Sequence, residues 1–249
     1  MKKTSSLKSL DSENINLHLR GVALLIKNND FSKGLKIIES LEVLPEQLPL
    51  LFSLKADALA GLRQYEKAMK YYSKCLHTTE LELASLLKLA ALNRNLGNTE
   101  EAIKSYKKAL KITPKDAGIF NSIGNVYKEI GKYSDAFIKY DKALKLNPHH
   151  VGANYNKGVI LYKDGKVLES IKYFKKILSL DRNYFLALRA LGRAYLALDD
   201  VKTSISFFNK AMQQKKDDVK LMNEIVNVYN KIEKYHSSKK ILEYARSLK

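Results

Sequence analysis

Small and apolar residues recur along this chain at helical spacing, and the helical stretches themselves recur. Phe120, Ile123, Gly124 and Tyr127 mark one stretch, Ala136, Tyr140 and Ala143 mark a second, Gly131 falls between them and Pro148 follows. One step of 34 residues upstream stand Leu86, Leu89, Ala90, Gly97, Ala102, Tyr106, Ala109 and Pro114, and a further step reaches Phe52, Ala56, Leu59, Tyr65, Ala68, Tyr72 and Cys75. Downstream the same register holds Gly158, Leu161, Gly165, Ser170, Phe174 and Ile177, then Leu191, Gly192, Tyr195, Ser204, Phe208 and Ala211. Seven units, starting at residues 15, 49, 83, 117, 151, 185 and 219, follow one another without insertion or deletion. Within a unit the period is helical. Over residues 100–112, Ala102, Ile103, Tyr106, Ala109 and Leu110 share one side while Lys104, Lys107, Lys108 and Lys111 occupy the other. Two such helices per unit predict fourteen helices and no strand, with turns at Asn98, Gly131 and Gly165.

These residues resemble the tetratricopeptide repeat family, whose pattern over 34 residues runs aromatic, Leu-Gly, Tyr, Ala, aromatic, Pro. The unit at residues 117–150 fits best, with Phe120 and Ile123 in place of Trp and Leu. The chain departs from the pattern in having no Trp, in lacking Pro in the unit ending at Tyr184, and in placing Ser170, Ser204 and Ser238 where Ala is usual. Such substitutions are expected to weaken single repeats without breaking the register. The resemblance implies an all-α fold, a right-handed superhelical solenoid of antiparallel helix pairs, with first helices inside and second helices outside. Residues 1–14 are read as a tail or cap, followed by repeats at 15–48, 49–82, 83–116, 117–150, 151–184, 185–218 and 219–249. A pair alone cannot bury both apolar faces, so stability comes from stacking. Ile241, Leu242, Tyr244, Ala245 and Leu248 on the last helix have no further unit to cover them, and predict end-to-end self-association.

Composition narrows the function. The chain holds 44 Lys plus Arg against 26 Asp plus Glu, a formal charge of +18, with 45% hydrophobic residues, only 11 Gly and 4 Pro, and one cysteine. That balance excludes a disordered chain and a disulfide framework. No apolar run approaches the ~20 residues of a membrane span, and residues 1–14 lack the apolar stretch of a secretory signal. A cytoplasmic location is expected. Cys75 shares its register position with Ala109, Ala143 and Ala211, which makes it a packing residue rather than a nucleophile. His149 and His150 follow Pro148 in a loop without the spacing of a metal site. Gly165-Lys166 lacks the spacing of a phosphate loop. No enzyme, no metal and no cofactor is read here.

Two surfaces remain. In the family the ligand positions lie on the inner helices, and carrying them over gives Asn121, Asn125, Tyr155, Asn156, Arg189, Arg193, Asn223 and Asn227 as peptide-binding residues, with Lys128, Tyr162, Lys220 and Asn230 beside them. Asn is a poor helix former, so its concentration there calls for a reason. A carboxamide both donates to and accepts from a peptide backbone, and arginines capture carboxylates. The family's chaperone-tail clamp is matched only at Asn125 and Asn156, so a general ladder of Asn is the better analogy. In the first three units Leu19, Arg20, Ser53, Leu54, Asp57, Leu87, Lys88 and Arg94 give a different, more apolar inside suited to hydrophobic side chains. The other surface is outside, where Lys36, Lys70, Lys74, Lys104, Lys108, Lys111, Lys142, Lys145, Lys172, Lys176 and Lys210 form a stripe. The reading is a non-catalytic protein-interaction scaffold that holds an extended acidic or C-terminal peptide in its concave groove. The alternative, ranked below it, is a basic adaptor that associates with RNA or anionic membrane through the Lys-rich face.

Overall fold

The computed structural model describes residues 12–43, 45–77, 80–231 and 243. Among the described residues there are thirteen α-helices and no strand. The chain divides into two compact units at the junction of the third and fourth repeats, one up to Pro114 and one from Lys115. In the first, α1 (Ser12–Lys27) pairs with α2 (Phe31–Ser40), α3 (Leu48–Gly61) with α4 (Tyr65–Lys74), and α5 (Glu82–Asn95) with α6 (Thr99–Ile112). In the second, α7 (Ala117–Glu129) pairs with α8 (Tyr133–Leu146), α9 (Val151–Lys163) with α10 (Val167–Leu178), and α11 (Phe185–Ala197) with α12 (Val201–Gln214). The last described helix is α13 (Val219–Lys231). The fold is the all-α solenoid of helix pairs expected of tetratricopeptide repeats. The apolar positions of the expected fourteenth helix, Ser238 and residues 1–11 of the expected N-terminal tail lie outside the described residues, while Ser12, Glu13 and Asn14 belong to α1.

Each pair is closed by the same device. Asn29, Arg63, Gly97, Gly131, Gly165 and Asp199, all at the fifteenth position of their units, have φ of 65°, 60°, 79°, 76°, 78° and 58°. The next residue then donates its N–H back to the eleventh-position carbonyl, as in Lys132 to Tyr127 (2.9 Å) and Asp200 to Tyr195 (3.0 Å). This left-handed stop ends the first helix and turns the chain. Glycine adopts it freely, whereas arginine at position 63 adopts it against its side chain.

The crossing of the two helices is set by a ring lying on a bare backbone. A Cβ added to Gly124 would stand 2.5 Å from the Tyr140 ring, and one on Gly158 or Gly192 would stand 2.6 Å from Phe174 or Phe208. Those three rings are almost wholly buried. Ala136 and Ala143 are fully buried beside them, as their small size led us to expect. Serine at the Ala position is not the weakness the pattern implied: Ser204 Oγ donates to the Gly192 carbonyl at 2.8 Å, and Ser170 Oγ to Val167 at 2.7 Å. Cys75 is buried, with its thiol 3.4 Å from the Pro49 and Tyr71 carbonyls, and burial pushes its pKa up, away from thiolate chemistry.

Within each of the two units, a second helix packs on the next first helix. Most of these contacts are apolar, but the seventh position carries a lysine twice. Lys157 reaches back to Asp141 and lies 4.3 Å over the Phe137 ring and 4.9 Å over Tyr173. Lys55 likewise faces Glu39 at 3.6 Å and lies 5.1 Å over Tyr71. Burial alone lowers the Lys157 pKa, and the bonds to Asp141 and Tyr173 more than restore it.

Two substitutions test this architecture by urea unfolding. Arg63→Gly removes left-handed strain of about 1–2 kcal/mol, part of it offset by glycine's greater chain entropy, and should stabilise by about 0.5–1 kcal/mol. Gly192→Val drives a side chain into the Phe208 ring and should destabilise by about 1–3 kcal/mol.

Candidate functional site

In the unit that begins at Lys115, α9 touches both α7 and α11, and α13 is joined to α11 through side chains. The first helices therefore form one continuous face. The Asn ladder lies on it, and it is knitted to itself. Asn156 Nδ2 donates to Asn125 Oδ1 at 2.9 Å and to Asn121 Oδ1 at 3.3 Å, while its own Oδ1 accepts from Lys128 Nζ at 2.7 Å. Tyr140 of α8 donates to Asn125 Oδ1 at 2.8 Å. Asn156 is buried, with its amide committed on both sides. The reason for Asn on these helices is thus structural in part: a carboxamide can give and accept between neighbouring repeats. The amide NH2 groups of Asn121 and Asn125 make no hydrogen bond among the described residues.

One repeat further on, the two arginines converge as their spacing suggested, and the anion they share is internal. Arg189 Nε lies 3.0 and 3.2 Å from the Glu224 carboxylate oxygens, Arg193 Nε lies 3.0 Å away, and both Nη2 groups donate to Oε1. The Arg189 side chain is 16% exposed, Glu224 20% and Arg193 49%, so Arg193 is the cation left open to solvent. Burial raises the Glu224 pKa, and the bonds from Arg193 and Arg189 outweigh it, leaving the carboxyl below its ordinary range. Burial also raises the Tyr155 phenol, with Arg193 and Arg189 pulling against it, while the bond to Glu224 outweighs burial in favouring the charged Arg193, with smaller contributions from Tyr155 and Tyr162. Two guanidiniums against one carboxylate leave this cluster net positive. Asn223 and Asn227 are exposed on α13 and are not drawn into either network.

The two networks share a rule. A side chain at the ninth position of one repeat meets the sixth position of the next, 31 residues on, and the fifth position joins it from 35 residues away. The first unit repeats the rule with other chemistry. Lys88 of α5 holds Asp57 of α3 at 2.5 and 2.6 Å, and Tyr72 donates to the same carboxylate. The open apolar inside expected there is absent at Leu19 and Leu54, which are buried in the core of the first repeats. Glu224 itself was not among the expected site residues, although an acid at that register position one repeat after two arginines is a signal visible in the chain.

Elsewhere, Tyr133, Phe137, Ile138, Ile160 and Leu161 line an open cavity of about 520 Å³ between α8 and α9, with Lys163 and Lys166 at its rim. His150 is a helix cap, its Nδ1 accepting from Ala153 N at 3.1 Å. Among the described residues no cluster of three His, Cys, Asp or Glu could hold a metal ion, and no helix is long and apolar enough to cross a membrane.

Paired helices stacked in this register, with an exposed polar face on the first helices, define a helical-repeat interaction module. Family models described as TPR repeat match residues 93–131 and 124–165, and models described as tetratricopeptide repeat match residues 51–77 and 151–184. The chain belongs to the tetratricopeptide repeat proteins, whose repeats build protein-interaction scaffolds. No curated protein sequence matches it. Among solved structures it is similar to a tetratricopeptide repeat protein from Parabacteroides merdae, at 20% identity and TM-score 0.67, over 81% of this chain and 80% of that one. It is also similar to the C-terminal part of a repeat protein from Cytophaga hutchinsonii (19%, TM-score 0.69, 92% of each chain) and to MamA from Desulfovibrio magneticus (20%, TM-score 0.60, 67% of this chain and 94% of that one). At these identities the likeness speaks for the fold.

The depressed Glu224 pKa carries a pH signature. Its contribution to stability is fully present above the ordinary glutamate pKa and is lost as pH falls through the lower folded value. Stability of the parent should therefore fall on acidification more than that of Glu224→Gln, in unfolding curves recorded from neutral pH downward. Arg189→Ala, which removes the more buried arginine but leaves Arg193 on Glu224, should cost about 1–2 kcal/mol at neutral pH.

Proposed function

We propose that this protein is a non-catalytic scaffold whose first-helix face, from α7 to α13, holds an extended acidic or carboxylate-terminated segment of a partner protein. The observation that carries the reading is the pairing on one face of uncommitted amide donors, at Asn121 and Asn125, with a net positive Arg189–Arg193–Glu224 cluster. Amide N–H groups suit the carbonyls of an extended backbone whatever its side chains. Arg193, half exposed, suits the anionic end. Tyr155 and Tyr162 lie between them and add contact area at little entropic cost. Asn223 and Asn227 extend the same line on α13, whereas Asn156 supports the face from beneath.

Glu224 occupies the place a ligand carboxylate would take, and this sets the affinity. Binding an acidic segment means sharing or displacing an internal anion, so modest affinity is expected. Fluorescence anisotropy with labelled acidic peptides, carboxylate-terminated or amidated, tests the reading. Arg193→Ala should weaken binding about tenfold, on the scale of a charged hydrogen bond. Glu224→Gln should strengthen it, because both guanidiniums then face the ligand with full charge. Acidic peptides that bind no better than basic ones, or that ignore both substitutions, would remove the proposal.

A further inference from the structure

The second helices of the unit beginning at Lys115 carry a surface that folding does not require. On α8, Ile138 is 55% exposed and Leu146 39%, and Lys142 and Lys145 lie exposed between them in sequence. On α10, Leu168 is 68% exposed, Lys172 is exposed, Lys176 partly so, and Leu180 just past its end is 48% exposed. Residues 168, 172, 176 and 180 are spaced by four, which aligns them along one side of the helix. Both helices pack on α9 as second helices of successive repeats, and Lys142 and Lys176 occupy the same register position. None of these four lysines forms an ion pair among the described residues. Of the acids on the two helices, Asp141 is bonded to Lys157, while Asp135 and Glu169 stand exposed at the N-terminal ends of these same sides, leaving four lysines against two carboxylates there.

A purely electrostatic surface for a soluble polyanion would use the lysines and leave the isoleucine and leucines without a purpose. A base-reading surface would present open aromatic rings or arginines. Neither α8 nor α10 contains an arginine, and the Phe120 ring nearby is covered by Lys142 at 5.4 Å. A bilayer surface uses both kinds of residue at once. Ammonium groups meet anionic headgroups, long lysine stems lie along the interface, and apolar tips enter the acyl boundary. We propose that α8 and α10 form a docking face for a membrane rich in anionic lipid, separate from the peptide-binding face on the first helices.

The test is co-sedimentation of the full chain with vesicles of phosphatidylcholine alone or mixed with phosphatidylserine, at physiological salt. Binding is expected to the mixed vesicles only. K142E/K145E/K172E/K176E should lower it at least about tenfold, and I138S/L168S/L180S should lower it severalfold with every lysine in place. All substituted side chains lie on the outer surface, so helical circular dichroism and peptide binding should stay at parental levels. Absence of binding to the mixed vesicles, or equal binding to both kinds, would overturn the proposal. So would an I138S/L168S/L180S protein that sediments like its parent, which would instead mark a plain polyanion surface of the kind RNA uses.

Discussion

The architecture of the first six repeats depends on one residue in each standing in the left-handed conformation. At the fifteenth position the chain must stop a helix, reverse, and begin another with a constant offset, and six times it does so with φ near +60° to +80°. Because the stop never moves, the eighth and twenty-fourth positions face each other, and in the three repeats from residue 117 to 218 a ring lies directly on the bare backbone of Gly124, Gly158 or Gly192. That contact sets how close the helices run. The same offset places the fifth and ninth positions of one first helix beside the sixth position of the next, where the polar networks form. The polar face of the first helices is thus a consequence of turn geometry several residues away from it.

Most of this was legible in the chain because it is periodic. Gly131, Pro148 and the small residues at Gly124, Ala136 and Ala143 announce the turn, the stop and the crossing by residue type alone. Asn29, Arg63 and Asp199 do not, since only their register reveals that they share glycine's conformation. The helix-inside positions were also legible, but their state of bonding was not. Asn156 and Arg189 read as ligand residues from their positions, yet the first is tied to two other amides and the second to Glu224. Periodicity compares a residue with its equivalents in other repeats. It is silent about a partner at a different position of a neighbouring repeat, which is where each of these side chains bonds.

The two faces of the unit from Lys115 answer to different physics. On the first helices the charges are few, partly buried and paired, so their strength comes from geometry and low dielectric. On the second helices they are many, solvated and unpaired, and act as a field that salt weakens. Because the two proposed faces are separate, occupation of one would leave the other open.

The bridges between first helices carry a further consequence. Lys88 fits Asp57, Asn156 fits Asn121 and Asn125, and Glu224 fits Arg189 and Arg193, each through the ninth and sixth register positions, the fifth joining in the last two, and each with different chemistry. Transplanting the fifth repeat behind the sixth would leave two guanidiniums with an amide in place of their carboxylate, and setting the seventh behind the fourth would make Asn121 and Asn125 turn their NH2 groups to a carboxylate and would strand Lys128 without its amide acceptor. At these three joints, units of one length and one fold are therefore matched to their neighbours, and shuffling them would exchange fitted bonds for poorer ones although shape would permit it.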